Sequence, residues 1–169
     1  YYFSTQNETI AETMNRLGAL PKFHEPGEKF TYGLNTDVLG YFVEVISGMP
    51  FDQFLKKKIF EPLGMNDTGF YIDDAKKNRL VTVYEEIGKE KGITPKPRSQ
   101  WTDYPISGER KYFSGGAGLT STALDYAKLC QMLLNGGTFN NTRLLSRKTV
   151  ELMTTNQIGE LNIRDNTNK

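Results

Sequence analysis

Apolar residues recur along the chain at helical spacing in several separate stretches. Ile10, Met14 and Leu17 stand three and four residues apart and predict a helix from about Thr9 to Leu20, ended by Gly18 and Pro21. His24-Glu25-Pro26-Gly27-Glu28 reads as a turn. A second helix is expected to begin near Thr36, with Thr36 as its cap, Asp37 at the positive end of its dipole, and Gly48 as its left-handed stop. Its apolar stripe is Val38, Leu39, Phe42, Val45 and Ile46. A third helix starts at Pro50, repeats Phe51, Phe54, Leu55 and Ile59 on one face, turns Lys56-Lys57-Lys58 to solvent, and closes at Pro62 and Gly64.

The pattern then changes. Leu80-Val81-Thr82-Val83-Tyr84 is the strongest strand candidate, with Glu85 to Lys91 as a hairpin turn and Ile93 onward as the return strand, until Pro95 and Pro97 interrupt the ladder. Trp101 to Tyr112 reads as a structured loop. Ser114-Gly115-Gly116-Ala117-Gly118 leads into a helix from about Thr122 to Asn135, whose apolar face is Ala123, Tyr126, Ala127, Cys130, Leu133 and Leu134. Ser146 caps a last helix bearing Val150 and Met153. No repeat, low-complexity stretch or second domain is visible.

Composition narrows the classes. With 169 residues, 37% of them hydrophobic and 24% charged, the chain has the core-forming material that disordered segments lack. The formal net charge of +1 provides no basic field, so no nucleic-acid partner is expected. The apolar run from Val38 to Ile46 is far shorter than the ~20 residues a membrane span needs. One cysteine, Cys130, and one histidine, His24, make neither an internal disulfide nor a Cys/His metal set, and no metal or cofactor is expected. The chain starts at Tyr1 rather than at a methionine and closes on a polar stretch, Ile163 to Lys169, so it is expected to be a piece of something longer.

Few residues carry chemistry on their own. His24 has the right type for a general base but no identifiable nucleophile or orienting carboxylate, and reads as a turn residue. Cys130, on an apolar helical face, reads as a small core hydrophobe. Asp73-Asp74 and Glu85-Glu86 read as solvated turns. Tyr32 can donate and accept a proton, yet works as a base near neutrality only beside a positive charge, so by chemistry alone it reads as a half-buried aromatic.

The ordered set of short motifs says more. Phe30-Thr31-Tyr32, Asp37-Val38-Leu39-Gly40, Glu44, Ser47-Gly48, and Ile59-Phe60-Glu61-Pro62-Leu63-Gly64-Met65 with Thr68 and Phe70 are followed by Gly115-Gly116-Ala117-Gly118-Leu119-Thr120-Ser121-Thr122, Asp125-Tyr126 and Leu144-Leu145-Ser146. Over about residues 20–155 this resembles the serine β-lactamase-like superfamily, and within it the class C β-lactamase, esterase and D-alanyl-D-alanine peptidase branch. The resemblance implies a hydrolase that acts through an acyl-enzyme on a small ester, amide or β-lactam substrate. Tyr32 falls where the family has its proton-shuttling tyrosine, while Leu34 stands where a Y-x-N motif has asparagine, leaving Asn35 as the nearest amide. That departure is nearer to esterase-like members than to true β-lactamases. Gly116 and Ala117 match the loop opposite and are, with Asn35, the candidate substrate-binding residues.

Two family motifs are missing. Ser4, Ser47, Ser99, Ser107, Ser114, Ser121 and Ser146 all lack a lysine three residues on, so there is no S-x-x-K. Lys148-Thr149-Val150 only approaches K-T-G. The expectation is an α+β, predominantly helical piece with a small β-hairpin, forming a single unit over residues 1–169 that is mostly the helical lobe of the two-lobed β-lactamase-like fold. Its nucleophile would come from flanking segments of the same parent chain, and without them the piece would be inactive. Most of the family would place the parent in the periplasm, outside the cell or at a membrane. The competing readings are a catalytically inactive homologue kept as a binding module and a plain helical interaction domain.

Overall fold

The computed structural model describes residues 8–88, 92–97, 100–107 and 110–161. The stretch Ile163 to Lys169 and the end of the expected turn at Lys91 lie outside them. The arrangement is α+β and predominantly helical, with two small antiparallel hairpins.

Helix α1 (Ile10–Gly18) begins with a capping box, in which the Thr9 hydroxyl accepts from the Glu12 amide while the Glu12 carboxylate takes the Thr9 amide at 2.7 Å. Ile10 and Met14 are buried as their spacing predicts. Helix α2 (Asn35–Ser47) starts one residue before the expected position. Leu34 occupies the cap with no side-chain hydrogen bond, so Thr36 is not the cap, and Gly48 ends the helix at φ 65° as expected.

The third helical stretch is one rod in three parts: α3 (Phe51–Leu55), a π-helical turn (Lys56–Phe60) and α4 (Glu61–Leu63), stopped by Gly64 at φ 66°. The π turn adds a residue to the helical repeat and rotates the next turn of the rod, so that Phe60 and Leu63 are buried while Lys56, Lys57 and Lys58 remain exposed. Phe60, Leu63, Met65 and Met132 form the core, flanked by Leu55, Ile59, Leu129, Leu133, Phe139, Leu144 and Leu145. A smaller aromatic group stands beside it: the Phe70 ring lies 6.0 Å from that of Phe51 and 5.4 Å from that of Phe113.

The first hairpin pairs β1 (Tyr84–Glu86) with β2 (Ile93–Pro95), Tyr84 opposite Pro95. The strand expected at Leu80–Tyr84 is therefore displaced, and Glu85-Glu86 are ladder residues rather than a turn. The reason is local: Ile87 N–H donates to Gly92 O, and Gly88 (φ 108°) and Gly92 (φ 81°) adopt the turn dihedrals that set the register. Sequence reading missed the second hairpin, β3 (Thr138–Phe139) and β4 (Thr142–Arg143). Its two-residue turn is Asn140-Asn141, both left-handed at φ 44° and 62°.

Between the hairpins lie the short α5 (Gln100–Asp103) and then α6 (Ala123–Leu134), which Thr122 caps through the Asp125 amide. The buried face of α6 is Asp125 and Met132 with Leu129 and Leu133 partly covered. Of the face expected from spacing, Ala123, Tyr126, Ala127, Cys130 and Leu134 are exposed. Cys130 is thus a surface thiol and not a core residue. The α2 stripe behaves in the same way, since Val38, Leu39, Phe42, Val45 and Ile46 are all exposed while Asp37 and Gly40 are buried. Helix α7 (Arg147–Met153) comes after its expected Ser146 cap, with the Thr149 amide donating to the serine hydroxyl at 3.0 Å.

Candidate active site

The candidate site is built where the chain entering α2 meets the glycine-rich loop. Upstream, His24 bridges two points of its turn, with Nδ1 2.8 Å from Glu25 O and Nε2 2.8 Å from the Thr31 hydroxyl. A carbonyl only accepts, so Nδ1 carries a proton, and the ring steadies the residue next to Tyr32. Tyr32 itself is 74% exposed, more open than the half-buried aromatic expected from chemistry alone. Asn35 is the first residue of α2 and is exposed.

The glycine-rich loop lies directly against this turn. Gly40 and Gly115 face each other, and a Cβ on Gly115 would stand 2.0 Å from Thr36 O, so only glycine permits the approach. Beneath the contact, Ser114 Oγ donates to Asp37 Oδ1 at 2.6 Å, joining positions 77 residues apart. The same oxygen accepts from the amides of Gly116 at 3.1 Å and Ala117 at 2.9 Å. Asp37 is 0% exposed and Ser114 4%. At the other end of the loop, the Tyr104 hydroxyl donates to Gly118 O, and burial pushes the Tyr104 phenol up to about 12, with the neighbouring Tyr71 adding to the shift.

The four residues singled out from the sequence thus belong to two segments that the structure holds in contact: Tyr32 and Asn35 on one, Gly116 and Ala117 on the other. The Gly116 and Ala117 amides are engaged by Ser114 and are not free to bind a substrate oxygen. Sequence reading did not identify the Asp37–Ser114 pair; a carboxylate in a first helical turn and a serine ahead of two glycines were its only signals.

A cleft of about 630 Å3 opens elsewhere, along Asp52, Phe70, Tyr71, Arg79 and Thr120, and none of Tyr32, Asn35, Gly116 or Ala117 lines it. One wall is an ionic latch. Asp67 receives Arg79 at 2.7 Å and Lys76 at 2.7 Å, and these bonds hold its carboxyl well below the usual carboxylate range. Asp125 accepts from the Asp67 amide at 2.7 Å and from Lys128 at 2.8 Å. Among the described residues no cluster of three or more His, Cys, Asp or Glu is placed to hold a metal, and no helix is long and apolar enough to cross a membrane.

The Beta-lactamase family model matches residues 1–164. An uncharacterized protein of Mycobacterium tuberculosis is 34% identical over 142 residues, covering 84% of this chain and 34% of its own length. An Escherichia coli K12 protein provisionally named a D-alanyl-D-alanine carboxypeptidase is 28% identical over 154 residues, covering 85% of this chain and 36% of its own. The solved structure of EstCE1, a hydrolase with promiscuous acyltransferase activity, superposes with a TM-score of 0.72 at 26% identity, covering 88% of this chain and 40% of that one. The chain spans about a third of the length of the curated relatives it matches.

Proposed function

The chain belongs to the beta-lactamase family, and from that premise we propose that it forms the tyrosine-bearing part of a serine hydrolase whose nucleophile lies outside residues 1–169. In this reading a serine supplied by the rest of the parent attacks the acyl carbon of a small ester, amide or β-lactam. Tyr32, made basic by a lysine on the nucleophile's own helix, takes the serine proton and passes it to the leaving group. Water or another acceptor then releases the acyl group. Asn35 and the outer surface of Gly116 and Ala117 border the acyl substrate. The observation that carries the proposal is the docking of the Tyr32–Asp37 segment onto the Ser114–Gly118 loop through a buried bond 2.6 Å long, which joins the two motif blocks where the resemblance places the cleft.

Leu34 in place of the motif asparagine favours ester over β-lactam substrates, because the amide that would hold an acylamino side chain has moved one position on. The parent carries the family's usual placement, periplasmic, extracellular or at a membrane. The test is hydrolysis of a chromogenic short-chain ester, a cephalosporin and a D-Ala-D-Ala peptide by the full-length protein and by residues 1–169 alone. The ester is the expected substrate of the full-length protein, and the 169-residue chain is expected to be inactive. Tyr32→Phe should lower kcat/KM by about a hundredfold or more with the fold intact, the scale of losing a general acid–base. A near-normal rate removes Tyr32 from the mechanism, and an inactive full-length protein that still binds the substrates leaves a binding module instead.

A further inference from the structure

The Asp37–Ser114 pair is built more strictly than packing requires. A hydroxyl has one proton to donate and two lone pairs. Both Ser114 lone pairs are taken by the amides of Gly116 and Ala117, so its proton can go only to Asp37 Oδ1, and the direction of the 2.6 Å bond is fixed. Asp37 Oδ1 must therefore offer a lone pair. Asp37 Oδ2 is buried with no hydrogen-bond partner among the described residues. A wholly buried carboxylate with one oxygen unmatched is costly, and the first-turn dipole of α2 offsets only part of that cost.

The pair sits where the helix start is otherwise weak. Leu34 provides no side-chain cap, and Asp37 N–H and Val38 N–H both return to Leu34 O at 3.0 Å. Ser114 thus ties down, from across the chain, the turn that comes after Tyr32, and the same oxygen sets the backbone of Gly116 and Ala117. One side chain fixes both segments of the candidate site.

Resting on the Tyr32 reading above, we infer that Asp37 and Ser114 are positioning residues for the acyl-transfer chemistry. Through one shared hydroxyl they hold the Tyr32 turn and the Gly116-Ala117 loop in register, without touching substrate themselves.

The experiment uses the full-length protein and compares Ser114→Ala, Asp37→Ala, the double variant and Asp37→Asn. Ser114→Ala and Asp37→Ala should each lower kcat by about tenfold or more with KM little changed, since small misplacements of catalytic groups act on kcat. The double variant should be no worse than the worse single, because the two act as one unit. Asp37→Asn keeps an oxygen for the Ser114 proton while giving up the charge. It should hold kcat within about threefold even where thermal stability falls, a split that a purely structural role would not produce. Amide exchange at Gly116 and Ala117 should quicken in Ser114→Ala and not in Asp37→Asn.

The inference is overturned if a folded Ser114→Ala retains wild-type kcat, if kcat in Asp37→Asn falls in proportion to stability, or if the two single losses add. Should the alanine variants fail to fold, kcat and exchange in Asp37→Asn decide alone. If the wild-type protein hydrolyses nothing, the hydrolase reading fails on its own. The exchange measurement then still decides whether Ser114 organises the loop, and unchanged exchange rejects it.

Discussion

Gly115 has no room for a side chain. Its Cβ would lie 2.0 Å from Thr36 O and 2.9 Å from Thr36 C, both backbone atoms of the turn that opens α2, so neither can swing aside as a side chain would. Gly115→Ala must push the loop off the helix or break the Ser114 bond. It should cost about 1–3 kcal/mol or more, the scale of an overpacked contact, read as a lower denaturation midpoint of the full-length protein. Gly18, the last residue of α1, is the contrast. Nothing lies within 4 Å of its would-be Cβ, so Gly18→Ala should be neutral or stabilising by up to about 1 kcal/mol. If the two substitutions cost the same, the close approach of the loop to α2 is not what the glycine is for. The same scale explains what the sequence shows of the site. Tyr32, Asn35, Gly116 and Ala117 sit in short motifs readable in order along the chain. The bond that joins them spans 77 positions and depends on which hydrogen-bond capacities of Ser114 remain unfilled, a property of the assembled structure rather than of any motif.

Elements are held to one another by a few polar latches as much as by the core. Asp125 on α6 reaches the turn after α4 through the Asp67 amide and the Thr68 hydroxyl, and Asp67 in turn holds Arg79 at the end of the 3-10 helix Asp74–Arg79. Burial pulls the Asp125 carboxyl up, but Lys128, the Asp67 amide and Thr68 together bring it below its ordinary 3.8. Asp67 is lowered as well, by Arg79 first and Lys76 second. A carboxylate with a depressed folded value contributes fully above its unfolded value, near about 4, and loses that contribution as pH falls through the folded one. Asp125→Asn should therefore be destabilising at pH 7, with the gap to wild type closing as pH falls below about 4. Denaturant midpoints at pH 7 and in a series of more acid buffers check it, and a gap independent of pH would mean that the charge of Asp125 is not what matters. Helix existence and ends were readable from spacing, caps and glycine stops, as at Thr9, Gly48, Gly64, Thr122 and Ser146. Which face of a helix is covered was not. Spacing groups Ala123, Tyr126, Ala127, Cys130, Leu133 and Leu134 on one face, and of these the structure covers only Leu133, in part, together with Leu129 and Met132. The π turn at Lys56–Phe60 has no residue signature of its own, and the register of the first hairpin came from its glycines rather than from the β-branched run before it.

At the scale of the whole molecule, these bare faces have a common meaning. Among the described residues, much of the exposed apolar surface is arranged as two helical stripes, Val38, Leu39, Phe42, Val45 and Ile46 on α2 and Tyr126, Cys130 and Leu134 with their neighbours on α6. If the parent proposed above is about three times longer, as its relatives are, these stripes are apolar faces that its remaining polypeptide would cover. A charge at either stripe should then have opposite consequences in two contexts. In residues 1–169 alone, Ile46→Glu and Leu134→Glu should reduce self-association and binding of an apolar dye, since both positions face solvent and such substitutions ordinarily stay within about 0.5 kcal/mol. In the full-length protein the same glutamates would then be buried against apolar neighbours and should lower stability by several kcal/mol. Sedimentation of the short chain and thermal denaturation of the long one measure the two halves. A full-length protein indifferent to both substitutions would show that the stripes remain in solvent there, and the packing of the parent onto α2 and α6 would have to be abandoned.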